Sequence, residues 1–101
     1  MSKRIKVDDL PEFDPAPYLD SEDAIAAYLT DVLDANDAGL LAAALGDIAR
    51  ARGMAEIAKS AGITREALYK ALRANSEPRF DTVRRVCAAL GVRLVAQAMH
   101  A

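Results

Sequence analysis

The chain has 101 residues, a single cysteine, no tryptophan and a formal net charge of −2. That length fits one domain with a modest core, and one cysteine excludes a disulfide framework, as expected of a protein in a reducing cytoplasm. No run approaches the roughly 18 apolar residues of a membrane span, and no signal-peptide core opens the chain. The small net charge hides a division. Residues 1–49 carry three basic and eleven acidic side chains, a balance of −8, whereas residues 50–101 carry ten basic and four acidic ones, a balance of +6. Such a chain suits a polyanion on one side and a basic partner on the other, unless its two halves simply attract each other.

Residues 1–20 read as an extended arm. "KRIKVDDLPEFDPAPYLD" alternates weakly around Ile5 and Val7, room for a short strand at most, and then meets Pro11, Pro15 and Pro17, which fix φ and remove backbone donors. A helix follows over "DSEDAIAAYLTDVLDA", capped by Asp20 or Ser21, with Glu22 and Asp23 at the positive end of its dipole. Ile25, Tyr28, Leu29, Val32 and Leu33 fall at i, i+3, i+4, i+7 and i+8, one apolar face. The next helix starts near Asp37, turns Leu40, Leu41, Ala44, Leu45, Ile48 and Ala49 inward, and ends at Gly53. Two short helices are expected over 54–61 and 65–74. Pro78 then breaks the chain, and Phe80 to Leu90 forms a last helix with Val83, Val86, Cys87 and Leu90 inward, closed by Gly91.

Val92 to Ala98 is apolar and β-branched enough to read as a strand. A lone strand leaves its edges open, so it needs either the N-terminal arm or the same strand of a second subunit. The twofold dimer is preferred, with Val92, Leu94, Val95 and Ala96 as dimerisation residues. The expected fold is all-α: an arm (1–20), five helices (21–91), and a C-terminal strand and tail (92–101).

The segment "MAEIAKSAGITREALYKAL", residues 54–72, carries the strongest signal. Ala58 is small enough for two helices to cross, and Gly62, four residues on, supplies the positive φ of a tight turn. Ile63 plugs that turn, Thr64 caps the second helix, and Ile57, Ala61, Leu68 and Leu72 anchor both helices from beneath. This is the steric pattern of a helix-turn-helix, spanning 54–73. From about Asp37 to Leu90 the chain resembles the Xre-type helix-turn-helix of phage repressors, and "NSEPRFDTVRRVCAALGV" looks like that family's following turn and closing helix.

The resemblance implies double-stranded operator DNA as partner, with the second motif helix in the major groove. The face opposite Leu68 and Leu72 then carries Thr64, Arg65, Glu66, Tyr69, Lys70 and Arg73. Arg65 has the fork that reads guanine O6 and N7. Glu66 accepts from cytosine N4 or simply favours the helix dipole. Tyr69 meets a thymine methyl or a phosphate, or packs in part. Lys70 and Arg73 suit phosphates, as do Ser76, Arg79 and Thr82 beyond them. One position departs from the family: the polar phosphate clamp that commonly begins the first motif helix is Met54 here.

The run "FDPAPYLDSEDAIAAYLTDVLDANDAGLLAAALGDIARARGM" is similar to the HigA-like addiction-module antidote family, Xre-type antitoxins paired with RelE/ParE-superfamily toxins such as the HigB-like ones. That resemblance implies a protein that neutralises a small basic toxin and represses its own operon. The acidic half gives this a physical footing, since an acidic surface steers and covers a basic partner. Phe13, Asp14, Tyr18, Asp20, Glu22 and Asp23 are the candidate toxin contacts; alternatively Phe13 and Tyr18 pack on their own core and the acids are solvated.

Catalysis finds no support. His100 is the sole histidine and lies next to the end, Cys87 falls on an inward helix face without a basic partner, and no Cys/His cluster or phosphate-cradling glycine loop occurs. No cofactor, metal or small-molecule substrate is expected. A stand-alone prophage-type regulator and a pure protein-interaction module are the competing readings.

Overall fold

Local hydrogen-bond chemistry sets the helix boundaries. The computed structural model of the chain describes residues 20–99, and these form five helices: α1 (Glu22–Asp34), α2 (Ala38–Arg52), α3 (Met54–Ala61), α4 (Arg65–Ala71) and α5 (Phe80–Ala89). Three begin with a side-chain cap, which satisfies N–H groups a helix start leaves open. Ser21 accepts from the Ala24 N–H at 3.1 Å, Asp37 from Gly39 at 2.9 Å and Leu40 at 3.3 Å, and Thr64 from Ala67 at 3.0 Å. Ser21, not Asp20, is therefore the cap of α1.

One apolar cluster joins all five helices. Ile25, Leu29 and Val32 come from α1, Leu45 and Ile48 from α2, Ile57 and Ala58 from α3, Leu68 from α4, and Val83, Val86 and Cys87 from α5. Helix α3 packs on α2, α4 and α5, while α1 packs on α2. Among the described residues no polar or charged side chain is buried, so apolar burial, at about 1.5–3 kcal/mol per fully buried aliphatic side chain, is what holds the helices together.

Several expectations need correction. Leu33 and Leu40 are each 44% exposed, whereas Ala42 and Gly46 are buried. Helix α2 packs on both α1 and α3, and Gly46 also lies against the end of α4: a Cβ there would stand 3.0 Å from the Leu72 carbonyl oxygen. Helix α4 stops at Ala71 rather than residue 74. Asn75 takes φ 67° there, and the Ser76 hydroxyl lies 2.7 Å from the carbonyl oxygens of Ala71 and Arg73, serving the carbonyls that a further turn would have used.

The C-terminal segment is the largest difference. Val92 donates to the Cys87 carbonyl at 2.9 Å, and beyond it residues 92–99 contain no strand. A ladder needs two strands, and the described part of one chain offers no second. Val92 and Leu94 still lean on the core. The arm to residue 19, with its expected strand near Ile5, lies outside the described residues.

Candidate nucleic-acid interface

The corner between α3 and α4 is built by three residues. Gly62 ends α3 in the left-handed region, φ 75° and ψ 31°, with its N–H directed to the Ala58 and Lys59 carbonyls. The Ile63 N–H returns to the Ala58 carbonyl at 3.0 Å, the double closure of a helix end that a left-handed glycine permits. Thr64 then extends (φ −75°, ψ 157°) and caps α4. Ile63 is half-buried against the core, and Leu68 and Leu72 are buried beneath α4.

That anchoring decides which face of α4 is free. Thr64, Arg65, Glu66, Tyr69, Lys70 and Arg73 are all exposed. The Arg65 guanidinium carbon lies 5.5 Å from the centroid of the Tyr69 ring, a cation–π pair that restricts a long side chain before any partner arrives. Among the described residues Arg65, Lys70, Arg73 and Arg79 make no ion pair, whereas Arg50 is held by Asp47, and Arg84 and Arg85 by Asp81. The outward face of α4 therefore carries positive charge that no ion pair among the described residues neutralises.

The other expected contacts divide. Arg79 is exposed at the start of α5, and Thr82 is half-buried in its first turn. Ser76 is half-buried, its hydroxyl committed to the Ala71 and Arg73 carbonyls. Met54, where the resemblance to phage repressors leads one to expect a polar side chain, is buried in the core. Neither α3 nor α5 has a side-chain cap, so the starts of the two helices either side of α4 keep N–H groups without a side-chain acceptor, an arrangement suited to phosphate oxygens.

Two features of this region escape a reading of spacing alone. Ala67 is exposed on α4, a small apolar position that a search for polar and charged side chains passes over. Arg85 reaches across to the corner: its Nε donates to Asp81 Oδ2 at 2.9 Å, and its Nη1 stands 3.4 Å from the Ala61 carbonyl oxygen at the end of α3. The i, i+4 spacing of Asp81 and Arg85 is legible in sequence; the carbonyl 24 residues earlier is not. The hydrogen bond from Arg84, with the charge of Arg85, holds the Asp81 carboxyl below its ordinary range.

Away from this region, Asp20, Glu22 and Asp23 are exposed around the start of α1. Phe13, Asp14 and Tyr18 lie outside the described residues. Cys87 is buried, and loss of hydration raises its thiol above the ordinary range, so it stays protonated and unreactive. Among the described residues no helix is long and apolar enough to cross a membrane.

Comparison with known proteins places the molecule. An uncharacterized protein of Haemophilus influenzae strain Rd is 48% identical over 88 residues, covering 87% of this chain and 91% of that protein. No solved structure matches. Residues 9–98 match the family described as "Probable addiction module antidote protein". The chain thus belongs to the addiction-module antidote family, a membership that implies a toxin partner and points to a regulatory role.

Proposed function

We propose that this protein is the antitoxin of a type II toxin–antitoxin module, a cytoplasmic homodimer that neutralises a HigB-like toxin of the RelE/ParE superfamily and represses its own operon. The observation that carries the DNA half is the outer face of α4: exposed, positively charged, without an ion pair among the described residues, and held out by a glycine corner whose Gly62 and Ile63 N–H groups close back onto α3. In this reading the α3–turn–α4 unit is an Xre-type helix-turn-helix. Arg65, steadied over Tyr69, reads a guanine; Glu66 and Ala67 meet base edges; Lys70, Arg73 and Arg79 meet phosphates. The uncapped starts of α3 and α5 take flanking phosphates, which replaces the clamp that Met54 does not provide.

The toxin half rests on family membership and on charge. Asp20, Glu22 and Asp23 gather at the start of α1, next to the arm that carries Phe13, Asp14 and Tyr18. An acidic segment of this kind attracts a small basic, RNA-directed toxin and covers its working face.

Co-expression with the product of the adjacent gene tests the first half: rescue of growth and co-purification are expected, and their absence removes the antitoxin role. Operator binding tests the second. Lys70→Ala should weaken all sequences about equally and lower the salt slope by about one. Arg65→Ala should relax preference at one base pair by about 1–3 kcal/mol. Unchanged operator affinity in both variants would leave α4 without a reading role.

A further inference from the structure

We propose that the groove between α1 and residues 92–99 is filled by the same segment of a second copy, laid antiparallel about a twofold axis, with Arg93 of each copy facing Asp34 of the other. This rests on the homodimer of the preceding section and specifies how that dimer is made.

The backbone demands a partner first. From Arg93 to Met99 no backbone group bonds to another described residue, although Val92 and Leu94 hold the segment against the core. An anchored backbone whose groups bond to no described residue is a template onto which another strand adds. The side chains beside it are apolar and uncovered: Leu33 is 44% exposed, Val95 73% and Met99 96%, all lining one groove along α1. Leaving that surface in water is unfavourable, and an identical segment with the same apolar side chains fills it.

Direction and charge then select the arrangement. The segment leaves α5 at Gly91, where a Cβ would meet Glu22 Cγ, in the first turn of α1, at 2.7 Å. Its groove continues along α1 as far as Asp34, so segment and helix run in the same sense. An antiparallel copy centred on Val95 sets its own Arg93 opposite Gln97, toward the end of the groove where Asp34 stands. Arg93 and Asp34 both line this groove, yet neither makes an ion pair among the described residues of one copy. A twofold axis makes any such pair twice.

Sedimentation equilibrium of the full chain reads this directly. The unmodified protein should be dimeric and Val95→Asp monomeric, with unchanged circular dichroism because Val95 is exposed. Arg93→Asp and Asp34→Arg should each raise the dimer dissociation constant about tenfold, since each places like charges together twice. The double variant R93D/D34R should return to near the original constant. A monomeric unmodified protein, single reversals without effect, or a double variant weaker than either single would each overturn the proposal and give the groove to the arm or to the toxin. Co-purification with the toxin separates the outcomes: it survives if only the pairing is wrong, whereas the dimer survives if only the antitoxin reading is wrong.

Discussion

The corner at Met54–Leu72 and the tail at Val92–Met99 are both short, apolar-rich segments, but they close their hydrogen bonds in opposite ways. In the corner the turn's N–H groups are met within a few residues, Gly62 and Ile63 turning back onto α3 and Thr64 capping α4, and one side chain, Arg85, reaches in from α5 to the Ala61 carbonyl. Its exposed side chains owe nothing to the rest of the fold and are free to meet a ligand. In the tail the last bond back to the fold is made by Val92, and the residues after it have none among the described residues. A locally closed segment presents side chains, whereas an open one presents backbone, which is why different partners are proposed for the two: a duplex read by side chains, and a second strand.

The sharpest way to break this comparison is to remove one leucine from each region. Leu68 is 0% exposed beneath α4, while Leu94 is half-buried at the core's edge. Leu68→Ala should cost about 3 kcal/mol, since it leaves a cavity at the junction of helices. Leu94→Ala should cost under about 1 kcal/mol for the monomer and act mainly on dimerisation. Urea denaturation at low and high protein concentration separates the two. Equal losses at both sites, independent of concentration, would mean that the tail belongs to the core and the contrast is false.

The same contrast explains what was legible in the residues themselves. Thr64 as cap, Gly62 in the left-handed region and Val83, Val86, Cys87 and Leu90 inward are found as spacing predicts, because those interactions span five residues or fewer, or follow helical period. The burial of Ala42 and Gly46 in place of Leu40 was not legible, since it depends on which neighbours flank α2. The early end of α4 turns on one hydroxyl, that of Ser76, finding two carbonyls. The strand expected over Val92–Ala98 rests on side-chain pattern alone, and side chains do not say whether a second strand is at hand. For the candidate site, the exposed residues of α4 follow from where its leucines point, while the reach of Arg85 to the Ala61 carbonyl follows only from packing of α5 beside α3.

A smaller effect comes from the two glycines that begin these regions' divergence. Gly62 (φ 75°) and Gly91 (φ 87°) both take left-handed backbone, so alanine at either should cost about 1 kcal/mol. The consequences should differ. At Gly62 a Cβ meets only Arg85 Nη1 at 3.4 Å, ordinary contact, and the strain is relieved by tilting α4; operator affinity should fall while the dimer constant stays. At Gly91 the new Cβ presses on Glu22, and relief shifts the tail; the dimer should weaken while operator affinity per subunit stays. Thermal melts give the shared loss and the two binding assays give the split.

The smallest effect belongs to the link behind the corner. Asp81 receives Arg84 Nη2 at 2.7 Å and Arg85 Nε at 2.9 Å, and these hold its carboxyl below the ordinary value of 3.8. A carboxyl lowered in the folded state binds protons more readily once unfolded, so its stabilising contribution is complete above pH 3.8 and is lost as pH falls through the lowered folded value. Asp81→Asn should therefore be slightly less stable than the unmodified protein at neutral pH, with the gap closing below pH 3.8. The change is small because both partners are largely in water. Its informative readout is the corner: without Asp81 the Arg85 side chain loses the group that aims it at the Ala61 carbonyl, so amide exchange at Gly62 and Ile63 should quicken at neutral pH while exchange in the tail is unaffected. Equal quickening in both regions would show that α5 steadies them together, and the corner would no longer count as closed by its own residues.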